Sequence, residues 1–355
     1  MYKIIIKKSI VVAVIILFLS INIVPSASTI FLRKYSMLNY NGNTLYVGGT
    51  GPGNYTKIQD AIDNASDGDI VFIYSGFYHE SIIINKSISV FGEESNTTII
   101  DGNHPPNPKM DKHVSITADN VDFSGFTIEK SVEWDTIGIN VFNCSNCQIT
   151  NNCIRNLEGG IYVRCIDSVI ISNNTINCMA YGIGIQEYGL NIFEYTDNLM
   201  ISNNFISGEG SLPLYGWGIL FSPANSTNFI YRNITIFSNT IVETLIGIGF
   251  CFFPNHAFYI TPVIKDAVIV RNTIKNNVIG IFLCTAKDTV IKENNLQKNL
   301  IKAIFINSFH TVWQKNYWNR PRIIPKLIFG EIKIGSKWLP WFNIDWHPAK
   351  EPYDI

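Results

Sequence analysis

One asparagine-centred pattern recurs along this chain and restricts what it can fold into more than any other feature. An apolar residue, two spacers, an asparagine, one spacer and a second apolar residue appear as ITNNCI at 149–154, ISNNTI at 171–176 and ISNNFI at 201–206. The pattern returns as IFSNTI at 236–241, IVRNTI at 269–274 and IKENNL at 291–296. The asparagines are Asn152, Asn174, Asn204, Asn239, Asn272 and Asn294, with Asn316 of WQKNYW following, at steps of 22, 30, 35, 33, 22 and 22 residues. A second motif sits between them: GINV at 138, GIYV at 160, GIGI at 182, GILF at 218, GIGF at 247, GIFL at 280 and AIFI at 303. A unit of 22 residues with short alternating apolar strands cannot bury its own face, but stacked on copies of itself it can. Helical periodicity is absent from the repeats. The expected fold is all-β: a single-stranded right-handed parallel β-helix over residues 44–318.

In such a coil, equivalent asparagines stack at a corner and their amides hydrogen-bond along the stack, satisfying groups that face inward. The asparagine is therefore expected to be scaffolding. Side chains alternate across a strand, so Ile139, Ile161, Ile183, Ile219, Ile248, Ile281 and Ile304 should share an inward column. Asn140, Tyr162, Gly184, Leu220, Gly249, Phe282 and Phe305 should share an outward one, with Phe142, Arg164, Gln186, Ser222, Cys251, Cys284 and Asn307 beside it. Glycines flanked by aromatics on an outer face predict hollows with flat walls for sugar rings.

Insertions fall beside this face. From glycine to the next asparagine an uninterrupted coil uses 14 residues, whereas the coils opening at Gly182, Gly218 and Gly247 use 22, 21 and 25. Loops on a rigid scaffold are where function concentrates. These insertions and the strands beside them nominate Tyr162, Gln186, Tyr188, Trp217 and Phe282 for substrate binding. Glu187, Glu194, Asp197 and Arg164 are the candidates for catalysis, since sugar cleavage needs paired carboxylates or a base.

The ends differ from the repeats. TKIQDAIDNA reads as a short helix over the first coil, with Thr56 as N-cap and Ile58, Ala61, Ile62 and Ala65 at helical spacing. Residues 319–355 carry Trp338, Trp341 and Trp346 without a repeat and read as an irregular apolar C-terminal cap.

The repeats, with LYVGGTGPGNYTKIQDAIDNASDGDIVFIYSGFYHESIIINKSISVFGE before them, resemble the pectin-lyase-like superfamily, and within it the NosD-like right-handed β-helix proteins of exported surfaces. That resemblance implies carbohydrate binding or sugar hydrolysis, and equally admits copper-handling accessory proteins and non-catalytic adhesion scaffolds. The paired-Asp, Gly-His-Gly and Arg-Ile-Lys motifs of polygalacturonase-like relatives are missing, so enzymatic activity stays open. No resident cofactor is expected, with copper or calcium as the metals the resemblance admits. His104, Met110 and His113 in HPPNPKMDKH are the candidate copper ligands.

The first 28 residues form a separate unit: Lys3, Lys7 and Lys8, an apolar run over 10–19, then small residues after a proline, the pattern of a signal peptide or of an uncleaved anchor. A secreted or cell-surface location follows. Asn-X-Ser/Thr triplets at Asn54, Asn85, Asn96, Asn225 and Asn233 agree with export. A formal charge of −1 argues against nucleic acid as a partner. The expected partner is a polysaccharide or surface glycan, the chain a monomer, and the membrane is met only through the N-terminal segment. Export permits disulfides; Cys251 with Cys284, and Cys144 with Cys165, are the pairs that column and coil bring near.

Overall fold

The computed structural model describes residues 42–102, 112–129, 136–186, 195–208, 216–222, 230–250 and 264–355. Within them the chain winds through three short strands per turn, and each strand pairs in parallel with its equivalent one coil away. One sheet runs through Ile70–Ile73, Ser89–Gly92, Asp122–Ser124, Gln148–Thr150 and onward to Val312–Gln314. A second passes from Gly76–Tyr78 to Asn295–Gln297. The third carries the glycine-isoleucine strands, from Ile82–Ile84 through Ile137–Phe142 to Ile301–Ile306. A narrow fourth sheet, Tyr195–Asp197, Ile230–Arg232, Ile264–Lys265 and Ala286–Lys287, lines one corner. Among the described residues no helix is long and apolar enough to cross a membrane.

The inward columns are apolar. Ile139, Ile161, Ile183, Ile219, Ile248 and Ile281 stand in register, each essentially unexposed. The last coil departs from the predicted register. Ile281 faces Ala303, not Ile304; Phe305, expected to face outward, points into the core; and Ile306 takes the place beside Cys284 expected for Asn307. The 22-residue period sets Lys302, rather than Ala303, beside Gly280. The packing explains why the shift is tolerated: Ile281 and Leu283 give way to the smaller Ala303 and the larger Phe305, which conserves core volume. The glycine opening each strand is sterically required. A Cβ on Gly160 would lie 2.4 Å from the Gly182 carbonyl oxygen and 2.5 Å from the Ile176 side chain.

The asparagines form a continuous ladder. Asn174, Asn204, Asn239, Asn272 and Asn294 each donate through Nδ2 to the Oδ1 of the next asparagine at 2.9–3.0 Å, and Asn152 does so at 3.1 Å. Each Oδ1 also accepts from the backbone N–H one coil below, as Asn272 Oδ1 does from Asn239 at 2.9 Å. The remaining amide hydrogen goes to a strand carbonyl, Ile149 for Asn174 and Ile201 for Asn239, both at 2.9 Å. The residue before each ladder position is left-handed: Asn151, Asn173 and Asn203 have φ of 57°, 57° and 55°. A doubled asparagine thus does two jobs, the first tolerating the left-handed corner and the second joining the ladder. A second, shorter ladder runs through Thr244, Asn277 and Asn299.

Both ends are closed by carboxylates. The helix Ile58–Asn64 buries Ile58, Ala61 and Ile62 on the first coil. Its N-cap is Lys57 and makes no side-chain cap bond, so the expected role of Thr56 is not realised. Instead Glu80, from the next winding, accepts from Ile58 N–H at 2.8 Å and Gln59 N–H at 3.1 Å. At the other end, residues expected to be irregular form an antiparallel hairpin, Lys326–Ile334 with Lys337–Asp345. Its two-residue turn opens on Gly335 at φ 61°, the first-position glycine of a II′ turn. The hairpin delivers Asp345, fully buried, to the end of the ladder. There it accepts from Asn316 N–H (2.9 Å), Asn316 Nδ2 (3.2 Å), Trp318 Nε1 (3.0 Å), Lys315 N–H (3.1 Å) and His347 N–H (3.3 Å).

Candidate functional site

The outward face of the third sheet divides into two parts. In the later coils it is apolar and closed. Trp217 is 8% exposed and Phe282 3%, and they cluster with Leu220, Ile246, Ile279 and Cys284 outside the core. The hollow predicted at Gly249 is filled from within: a Cβ there would lie 2.5 Å from Cζ3 of the Trp217 ring. Glycine at 249 therefore serves Trp217 rather than a ligand. The two rings nominated for sugar stacking are structural at this end, because a buried face cannot meet a sugar ring.

The earlier coils are different. Asn140 pairs in register with Tyr162, and Phe142 with Arg164, so four side chains two residues apart on adjacent strands share one outward patch. The guanidinium carbon of Arg164 lies 4.7 Å from the centre of the Phe142 ring and 5.9 Å from that of Tyr162. Such stacking orients the planar group and leaves its edge for an acceptor. The Nε of Arg164 is buried and has no hydrogen-bond partner among the described residues; nor has the Oδ1 of Asn140, a residue only 4% exposed. Buried polar atoms are ordinarily satisfied. Phe142, Tyr162 and Arg164 are each partly exposed, and two ring faces beside a guanidinium are what a ligand bearing sugar rings and an acidic oxygen would meet. The sequence carries one signal for Asn140: it is the sole amide in a column of aromatics, glycines and a leucine.

The remaining nominated residues are dispersed. Asp197 stands on the fourth sheet, mostly buried, with Oδ2 held by Arg232 Nε at 2.6 Å and Oδ1 by Asn198 N–H at 2.9 Å and Asn233 Nδ2 at 2.8 Å. Arg232 in turn covers the Tyr195 ring at 4.8 Å. A carboxylate with both oxygens committed in this way fixes the corner and is not poised for proton transfer. Gln186 ends its strand level with Ser222. Glu187, Tyr188 and Glu194 lie outside the described residues, as do His104 and Met110. His113 is 3% exposed and packs on the backbone of Gly102. Among the described residues no cluster of three or more His, Cys, Asp or Glu could hold a metal ion.

Cys251 also lies outside the described residues. Cys144 is a thiol that hydrogen-bonds Cys147 within the same turn, and Cys165 is likewise a thiol, so no disulfide joins Cys144 to Cys165. That shared bond holds the Cys147 thiol below the ordinary range and, with burial, pushes Cys144 up.

This geometry can be set beside known proteins. A cell surface glycoprotein of Methanothermus fervidus is 32% identical over 180 residues, which cover 46% of this chain and 27% of that glycoprotein. The match therefore spans about a quarter of the relative's length. A lacto-N-biosidase from Eubacterium ramulus has a similar fold in its native structure, with a TM-score of 0.54 and 12% identity, covering 78% of this chain and 60% of that one. Its selenomethionine structure gives a TM-score of 0.52 at 13% identity, covering 79% and 62%. The likeness is one of fold, and it agrees with the pectin-lyase-like resemblance read from the repeats. The family model described as a right-handed beta helix region matches residues 112–317, more than half of the 355, and the chain belongs to that family.

Proposed function

We propose that this protein acts at the cell surface as a polysaccharide-binding β-helix, and that the binding centre is the patch of Asn140, Phe142, Tyr162 and Arg164. One observation carries the reading: the partly exposed Arg164 guanidinium is stacked on the partly exposed rings of Phe142 and Tyr162. Aromatic faces suit the apolar faces of sugar rings, and a guanidinium suits a uronate carboxylate or another acidic substituent. The relationship to a cell surface glycoprotein supports the location, and the fold shared with a glycan-cleaving enzyme supports the ligand class.

A glycan array followed by calorimetry tests it. Wild type should bind acidic oligosaccharides, and Arg164→Ala should weaken binding by about tenfold or more, as loss of a charge-assisted hydrogen bond predicts. Asp197→Asn should leave affinity unchanged. Failure of wild type to bind any glycan, or unchanged affinity in Arg164→Ala, would overturn the assignment.

A further inference from the structure

The C-terminal end of the rod carries an apolar surface that the core does not use. Ile323 is 90% exposed, Leu300 76%, Ile324 64% and Phe329 64%. Leu327 and Ile301 are exposed beside them, at 41% and 40%. Leu300, Ile301, Leu327 and Phe329 line one groove of about 270 Å³ together with Lys302 and Lys326. Soluble surfaces scatter such residues singly; a contiguous group this exposed marks a contact surface.

Cations predominate around it, with Glu331 exposed on the same strand as Leu327 and Phe329. Arg320, Arg322, Lys302 and Lys326 gather at the same place, and burial followed by the neighbouring cations holds the Lys326 ammonium below its ordinary range. The Nε of Arg322 is buried without a partner among the described residues.

We infer that this end of the protein docks on an anionic lipid bilayer, with Ile323, Ile324, Leu300 and Phe329 entering the headgroup boundary and Arg320, Arg322, Lys302 and Lys326 meeting lipid phosphates. Two alternatives fit less well. A second copy joined by a two-fold axis would set the same four cations against their equivalents. An acidic polysaccharide would satisfy the cations but leave branched aliphatic side chains such as Ile323 and Ile324 in water. An aliphatic patch ringed by cations is the composition of an interfacial membrane contact. The contact is distinct from the glycan patch, and independent of whether the N-terminal segment is retained.

Hydrogen–deuterium exchange on the full chain tests this while separating it from N-terminal anchoring. With phosphatidylglycerol vesicles, exchange over residues 320–334 should slow, and strand Ile137–Phe142 should serve as an unchanged internal reference. Phosphatidylcholine vesicles should protect far less. Arg320→Gln should weaken the vesicle affinity of this region about fivefold, the share expected of one cation at an anionic surface. Ile323→Ser with Ile324→Ser, at exposed positions that leave the fold intact, should abolish the protection. Unchanged exchange over 320–334 with anionic vesicles overturns the inference even if the chain sediments with them. Protection that survives the double serine variant also overturns it, as does protection by an acidic polysaccharide but not by vesicles, or a doubled mass in solution that the serine variant reverts to monomer.

Discussion

Two groups of buried polar atoms lie in the same coils and have opposite fates. At the ladder corner, Asn152 and Asn174 use every amide hydrogen, and the Asn174 oxygen accepts twice where that of Asn152, at the start of the stack, accepts once. On the outward face of the same windings, Asn140 and Arg164 each keep a buried atom unmet among the described residues. The contrast separates scaffold from site. Where the fold needs a polar group at the ladder, the chain supplies its complement from the next coil. The same logic sorts the carboxylates: Asp345, Glu80 and Asp197 are saturated by the protein's own donors and belong with the ladder.

The comparison breaks first at its most saturated member. Asp345→Ala orphans the buried donors of Asn316 and Trp318 and should destabilise the chain by about 3–5 kcal/mol, at about 1–3 kcal/mol for each buried donor left unsatisfied. Denaturant unfolding measures it, and hydrogen exchange should show the loss centred on residues 312–318. A loss below about 1 kcal/mol would mean that water replaces the carboxylate at this end.

Asn239→Ala follows, in the middle of the ladder. It leaves the N–H and Nδ2 of Asn204 without their acceptor, and at about 1–3 kcal/mol for each buried group left unsatisfied the chain should lose about 3 kcal/mol. The gap should open exchange on both neighbouring coils. Glu80→Gln is milder. One oxygen remains to cap the helix, the site is at the rod's edge, and a loss of about 1 kcal/mol is expected from the usual worth of an N-cap. Thr56→Ala should cost nothing measurable, which discriminates between Glu80 and the residue that sequence alone put forward.

The sequence made the ladder and the inward isoleucines legible because each is repeated at a fixed step, and repetition converts a weak local signal into a strong one. Single residues had no such help. Glu80 and Asp345 act on partners more than twenty residues away, and nothing in either neighbourhood announces a cap. The shorter ladder through Asn277 and Asn299 did repeat at 22 residues, yet only over two asparagines, with Thr244 standing in for a third. In the last coil a small residue, Ala303, was matched to the glycines of the earlier coils; the constant period sets Lys302 there, and the column slips by one. On the outward face, alternation gave the column correctly through Phe282 but not the direction of the Trp217 ring, which turns a predicted hollow at Gly249 into filled space. The hairpin was hidden by Trp338, Trp341 and Pro340, which read as irregular although buried Ile328 and Ile332 alternate with exposed Leu327, Phe329 and Glu331.

The smallest effect is the sharpest test of the contrast, because its sign is expected to reverse. Arg164→Leu removes a buried Nε that gains no hydrogen bond from the described residues, and keeps an apolar stem between Phe142 and Tyr162. Replacing an unsatisfied buried group by an apolar one of similar shape is neutral or favourable, so stability should rise by about 0.5–1 kcal/mol while glycan affinity falls. Ladder substitutions should do the opposite, costing stability while leaving affinity untouched in whatever fraction stays folded. The pattern of stability given up for binding is the one that functional sites show. If thermal unfolding instead places Arg164→Leu below wild type by 1 kcal/mol or more, Arg164 is structural, and the outward patch belongs with the ladder after all.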